Sequence, residues 1–238
     1  MEPQKINYQA TLQSFAVPIS IVIAGAIIGV SLIFALKGTG GGAAAGNDPT
    51  PSVAVNVKDA KLDGVPYVGS DSAKVILVAW EDFQCPFCKK VEGEVIPTLI
   101  KNYVNTGKVK IYFKDYEFLG PDSTIAGEWG QSIWALYPTK YLAWRTAWFQ
   151  QQPQENSLQP ADFEAVLVKV TNGVGISASA IKADVAKNKD KYDAILAADQ
   201  AEGSGFGITG TPGFITGKTR IDGAQPLANF IAALDSQL

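Results

Sequence analysis

The chain has 238 residues, 47% of them hydrophobic and 18% charged, with a formal net charge of −3 and a pI of about 5.1. That length is enough to bury one substantial core, and without a clustered basic run the chain lacks the electrostatic footprint of nucleic-acid binding. It contains no histidine and only two cysteines, which excludes His-based triads and His metal ligands and leaves half of the usual thiolate set for zinc.

Residues 1–14 form a short polar segment. From Phe15 to Leu36 there is no charge, and Ile21, Val22, Ile23, Ile27, Ile28, Val30, Leu32, Ile33 and Phe34 dominate. About 20 such residues span a bilayer, so 15–36 is predicted to be a transmembrane anchor. A cleaved signal sequence is the competing reading: Ala43 and Ala45 form a small-residue pair, but the apolar run is longer than the usual h-region. Lys5 and Lys37 flank the run almost symmetrically, so the positive-inside rule assigns no orientation. Residues 37–51, rich in Gly, Ala and Pro, read as a flexible linker reaching roughly 20 Å.

The folded body is expected over 52–238. Val53, Val55 and Val57 alternate with smaller or polar residues, a strand signal. Lys74 to Trp80 is a continuous apolar run, as in a central strand buried on both faces. Phe87, Val91, Val95, Leu99 and Tyr103 then recur near helical spacing, with Ile96 and Ile100 widening the stripe. Pro97 is expected to kink this helix, and Asn105-Thr106-Gly107 to end it. Val109, Ile111 and Phe113 alternate with Lys110, Tyr112 and Lys114 as a further strand. Pro121 to about Asp199 reads as a helical block. Strands at Gly213–Thr216 and Thr219–Asp222 follow, joined by Gly217-Lys218. A last helix carries Leu227, Phe230, Ile231 and Leu234.

Both cysteines sit in Cys85-Pro86-Phe87-Cys88, between the apolar strand and the amphipathic helix. A helix N-terminus favours an anion, so the Cys85 thiolate is stabilised there, and Pro86 suits the first helical position because its missing donor would be unpaired. A purely structural disulfide is a poor alternative, since so short a loop contributes little through chain entropy. Half of an intermolecular metal site is another.

Three segments resemble the DsbA-like branch of the thioredoxin superfamily. They are Tyr67 to Val75 leading into Glu81-Asp82-Phe83-Gln84-Cys85-Pro86-Phe87-Cys88, then Gly207 to Ile215 with Gly210-Thr211-Pro212, then Ile221 to Pro226. The resemblance implies an α/β thioredoxin-like fold with an inserted helical domain, here preceded by one transmembrane helix. It implies Cys85 as the exposed attacking sulfur, Cys88 as the buried resolving one, and Thr211-Pro212 as a cis-proline loop that binds substrate backbone. Pro86 and Phe87 would support the site. Phe87 cannot donate to a thiolate, which points to a less oxidising couple than in members with Pro-His. The family commonly has Glu six residues before the first cysteine, where this chain has Ala79. Glu81, on the same strand face, is the candidate replacement as proton acceptor for Cys88. The alternative leaves Glu81 and Asp82 as solvated residues at a strand end.

The activity so implied is extracytoplasmic thiol–disulfide exchange, with the Cys85–Cys88 disulfide as the redox group and no other cofactor or metal. The leading expectation is an oxidase acting on reduced client proteins and recycled by a membrane-embedded, quinone-linked thiol oxidase. A reductase or isomerase fed by an electron donor is the alternative, and a non-catalytic tethered client-binding module the third. An oxidising compartment suits disulfide formation, and the short lead-in to the body favours a monomer. Trp129, Trp134, Tyr137, Tyr141, Trp144, Trp148 and Phe149 in the helical block, and Trp80, are assigned mainly to packing.

Overall fold

A computed structural model describes residues 53–238; the predicted N-terminal segment, anchor and linker lie outside them. Among the described residues no helix is long and apolar enough to cross a membrane.

Five strands, β1 (Tyr67–Val68), β2 (Val75–Glu81), β3 (Val109–Asp115), β4 (Gly213–Thr216) and β5 (Thr219–Asp222), form one sheet in the order β1-β3-β2-β4-β5. β2 and β3 run parallel, with Ala79 opposite Phe113 and Glu81 opposite Asp115. The other pairings are antiparallel. The parallel pair needs a crossover, supplied by α1 (Pro86–Glu94), α2 (Ile96–Leu99) and a π-helical turn over Ile100–Val104. The insertion comprises α3 (Pro121–Leu136), α4 (Tyr141–Gln151), α5 (Pro160–Gly173) and α6 (Ala178–Gly205), and α7 (Leu227–Asp235) closes the chain.

The strand period divides the core in two. Val75, Leu77 and Ala79 of β2 join Cys85, Cys88 and the helical insertion in the larger cluster, while Val78 and Trp80 face a smaller one built from Val55, Val57, Val65, Tyr116, Ile208 and Ile215. Gly203 of α6 permits close contact there: a Cβ on it would lie 2.8 Å from the Trp80 ring. Most of the block's aromatics are core, Trp144 and Trp148 fully so, while Trp134 and Tyr137 are half-buried. Trp80 is fully buried.

Several expectations change. The Val53–Val57 alternation is not a strand: Val57–Asp59 is a 3₁₀ turn, and Val55 and Val57 are buried because the segment lies across the smaller core, with Val57 N–H donating to Gly217 O at 2.7 Å. The first strand is instead Tyr67–Val68, too short to carry a periodic signal. Pro97 interrupts the helix one step early. Val95 has φ −108° and ψ −57°, and Pro97 falls in the first turn of α2, where its missing N–H costs nothing. The helical block runs on to Gly205 rather than Asp199. β3 is buried along its whole length, because Lys110 pairs with Asp71 and lies over the Tyr67 ring, while Lys114 pairs with Asp199 and Glu202.

Candidate active site

Cys85 caps α1 with extended backbone (φ −71°, ψ 122°), and Pro86 occupies the first turn. The approach to it is pinned by Asp82. Its carboxylate accepts from Gln84 N–H at 2.7 Å, Ser123 Oγ at 2.6 Å, Phe118 N–H at 3.0 Å and Leu119 N–H at 3.1 Å, while Cys85 N–H donates to Asp82 O at 3.0 Å. The far side is tied to the insertion by Gln152, whose Nε2 donates to Phe83 O at 2.7 Å and Cys85 O at 3.2 Å. Three segments distant in sequence, 82–85, 118–123 and Gln152, thus define where one sulfur sits.

Cys85 and Cys88 are free thiols. Cys88 is fully buried, and Cys85 is only 4% exposed, against the expectation of an open sulfur; Phe87, 62% exposed, is what faces solvent beside it. Phe87 therefore does not belong to the buried stripe of α1: at the helix entrance it points away from the sheet. The Thr211–Pro212 peptide is cis, as the resemblance implied, and Cys85 Sγ donates to Thr211 O at 3.4 Å. The structure thus brings Cys85, Cys88, Thr211 and Pro212 to one place.

The two thiols are driven apart electrostatically. The Cys88 thiol, hydrogen-bonded to the Cys85 sulfur, does most to bring Cys85 down from 9.0 to about 6. The Thr211 side chain and the N–H groups of Cys88 and Phe87 add to this, against the opposing effect of burial. Cys88 moves the other way, raised well above 9.0 by burial, by its hydrogen bond to Cys85 and by the negative charges of Glu81 and Cys85. One thiol is poised as a thiolate and the other as an acid.

Glu81 and Asp82 are not solvated strand-end residues; Glu81 is 3% exposed and Asp82 fully buried. β2 extends through Glu81, which puts it on the cysteine face of the sheet. Its carboxylate pairs with Arg145 of α4, which also donates to Glu92 of α1 from Nε at 3.1 Å and Nη2 at 3.0 Å. The guanidinium lies 4.3 Å from the Phe113 ring centroid and 5.0 Å from that of Phe149. Burial raises Glu81 to about 8, with Arg145 offsetting only part of the effect. The second carboxylate oxygen, Oε1, has no partner.

Sequence reasoning missed Arg145, Glu92, Gln84 and Gln152. Arg145 had a signal: it lies on the Tyr141–Arg145–Phe149 stripe of α4, and a cation on an apolar stripe requires buried carboxylates. Nothing local marks the other three.

A C-x-x-C at a helix entrance, facing a cis-proline loop across a mixed sheet with an inserted helical block, defines a protein of the thioredoxin fold. The chain belongs to the thioredoxin family, whose model, described as "Thioredoxin", matches residues 61–236. It is 29% identical over 92 residues to disulfide bond formation protein D of Bacillus subtilis (strain 168), a match covering 39% of this chain and 41% of that protein. The chain thus spans about two fifths of the length of the curated relatives it matches. Among solved structures, oxidised BdbD of Bacillus subtilis superposes with a TM-score of 0.69 at 20% identity, over 78% of this chain and 97% of that one. The thiol-disulfide exchange protein α-DsbA2 of Wolbachia pipientis gives 0.62 at 24% identity, over 72% and 86%.

Proposed function

We propose that this chain is a protein-disulfide oxidoreductase that donates the Cys85–Cys88 disulfide to reduced extracytoplasmic proteins, with no other cofactor. The observation that carries this is the opposed acidity of the two thiols. Holding Cys85 at about 6 stabilises the reduced state as a thiolate, which makes the disulfide a stronger oxidant. The name of the Bacillus relative, a disulfide bond formation protein, supports the same direction.

In the forward reaction a client thiolate attacks Cys85 Sγ, the Cys85–Cys88 bond breaks, and Cys88 leaves with the electron pair. The client's second thiolate then attacks its own sulfur in the mixed disulfide, releasing Cys85 as a thiolate. Two electrons pass from client to protein, and a membrane-embedded, quinone-linked thiol oxidase would remove them. Residues 15–36 would anchor a monomeric enzyme to the membrane with its body outside the cytoplasm, where disulfides persist. A reductase uses the same atoms with electrons flowing the other way, and an isomerase uses them with no net electron flow.

The reduction potential of the couple, measured by equilibrating the protein in glutathione buffers, separates these directions. A value near or above roughly −180 mV is expected; one near or below about −250 mV overturns the oxidase reading in favour of a reductase. A Cys85→Ala protein that handles clients unchanged would instead make it a binding module.

Glu81 completes the proton balance. Cys88 leaves as a buried thiolate of high basicity, and Glu81, still protonated at neutral pH with its value near 8, is the acid beside it. Replacing Glu81 by glutamine is expected to slow reduction of the oxidised protein by dithiothreitol on the order of 100-fold. The parent rate, corrected for reagent thiolate, should fall as pH rises through about 8, and the variant should lose that inflection. An unchanged rate and pH profile in stopped-flow tryptophan fluorescence would remove Glu81 from the mechanism.

A further inference from the structure

β2 leads from Val75 to Glu81 and on to Cys85, so its first residue lies roughly 20 Å from its last at the usual rise of a strand. At that far end is a cavity of about 290 Å³ that the exchange chemistry leaves unused. Three stretches of chain wall it: the 3₁₀ turn with Lys58, the entry to β2 with Lys74, and the β4–β5 turn with Lys218. Their placement is fixed by hydrogen bonds between them. Val57 N–H donates to Gly217 O at 2.7 Å, and Thr216 Oγ1 donates to Ile76 O at 2.8 Å. Gln237, also in the wall, donates to Thr216 Oγ1 at 2.9 Å.

The charge around this cavity has one sign. Lys58, Lys74 and Lys218 are exposed, and none of them makes an ion pair among the described residues. No carboxylate side chain lines the cavity. Asp59, next to Lys58, lines a different one, and Asp71, just before Lys74, is paired with Lys110 at 2.7 Å. Lys108, whose carbonyl accepts from Val75 N–H at 3.3 Å, adds a further exposed lysine beside β2. In a chain of net charge −3, three cations brought together without partners repel one another, and an anion between them reverses that. The volume lies at the lower bound of ligand sites, roughly 300 Å³, which suits a phosphate group rather than a drug-sized molecule. The source of that anion follows from the chain. Asn56, in the wall, comes five residues after the predicted linker 37–51. A body tethered by a linker reaching roughly 20 Å stays at high effective concentration over a bilayer, so lipid headgroups are the anions at hand.

We propose that Lys58, Lys74 and Lys218 form a headgroup site, which takes the phosphate of an anionic lipid in the membrane that anchors the chain. Engagement turns the entry of β2 toward the bilayer and holds Cys85 roughly 20 Å farther out, facing proteins in solution. The proposal rests on the anchor reading of residues 15–36, and the test separates the two. The full chain is assembled into nanodiscs of phosphatidylcholine alone and of phosphatidylcholine with roughly 30% phosphatidylglycerol, which gives an anionic surface. Brief acetylation by an amine-reactive ester, read by mass spectrometry, gives the rate at each lysine. Lys187 of α6, exposed and outside the cavity, is the internal control.

Rates at Lys58, Lys74 and Lys218 are expected to fall about fivefold or more in the anionic discs, the attraction of one or more lysines to such a surface, while Lys187 stays level. Sodium chloride at about 1 M, where the screening length is about 3 Å, should remove the protection. Lys74→Glu, at an exposed position outside the exchange machinery, should return Lys58 and Lys218 to their rates in phosphatidylcholine. Equal rates in the two discs overturn the headgroup site, as does an equal fall at Lys187 or protection that survives Lys74→Glu. Equal protection in phosphatidylcholine discs on addition of inorganic phosphate overturns the lipid as the ligand and makes this a site for soluble anions. A chain that enters neither disc overturns the anchor reading and the proposal with it.

Discussion

Replacing Arg145 by leucine is expected to destabilise the fold by about 3–5 kcal/mol, the cost of leaving buried charge without its partner. The guanidinium, on α4, joins two other parts of the chain by pairing with Glu81 at the end of β2 and Glu92 on α1. All three side chains are almost wholly buried, so water cannot take over when the cation goes. The pH dependence follows from Glu81. Its value in the folded protein is raised to about 8 from 4.5, so its contribution to stability is complete below about 4.5 and is lost as pH rises through about 8. Without Arg145 the carboxylate form is penalised further, and the deficit of the variant should be larger at pH 8 than at pH 5. Guanidinium-chloride unfolding at the two pH values measures this. Combining Arg145→Leu with Glu81→Gln and Glu92→Gln should recover most of the loss, because a neutral cluster of similar shape is tolerated. A deficit independent of pH and unrelieved by the glutamines would show that the arginine acts through packing against Phe113 and Phe149 instead.

The reduced protein should show a thiolate titrating near pH 6, about a thousandfold more acidic than a thiol at 9.0. Ultraviolet thiolate absorbance, compared between reduced and oxidised protein, reads it directly. Since the Cys88 thiol is the largest contributor to the shift, Cys88→Ala should move the transition well up toward 9, and Thr211→Val should move it by less. The consequence for stability has a definite sign. A thiol depressed in the folded state contributes stability that is fully present above its unfolded value and is lost as pH falls through the folded one. The unfolding midpoint of the reduced protein should therefore rise relative to that of the oxidised protein between pH 6 and 9, with little change in the gap below 6. A gap that is flat across this window, or a transition near 9 in the parent, would remove the electrostatic basis for a disulfide donor.

Both predictions involve residues of very different legibility. Cys85, Cys88, Thr211 and Pro212 could be read from the chain because their chemistry is local. Two thiols three apart at a strand–helix junction, and a proline after Gly-Thr, carry their meaning within a few residues. The same holds for β2, a continuous apolar run buried on nearly every residue, and for α7, whose apolar stripe repeats with the helical period. The N-terminal valines show where this fails. An alternating pattern reports that every second side chain is buried; Val55 and Val57 meet that condition by lying across a sheet they never pair with.

The polar interior required the tertiary structure. Glu81 and Asp82 in sequence are two acids after an apolar run, equally compatible with solvent. Only the arrival of α4 with Arg145, and of Ser123, Phe118 and Leu119 around Asp82, determines that both are buried and what each does. Lys114 on β3 is buried on the same terms, by acids more than 80 residues away on α6. By itself the sequence determined the Cys85–Cys88 motif, the elements from β2 onward and the family, because backbone preference and apolar periodicity act over short distances. The tertiary structure alone decided the charge state of the site. Burial and ion pairing depend on which distant segments converge, and a pKa follows the dielectric and the charges that surround the group in space.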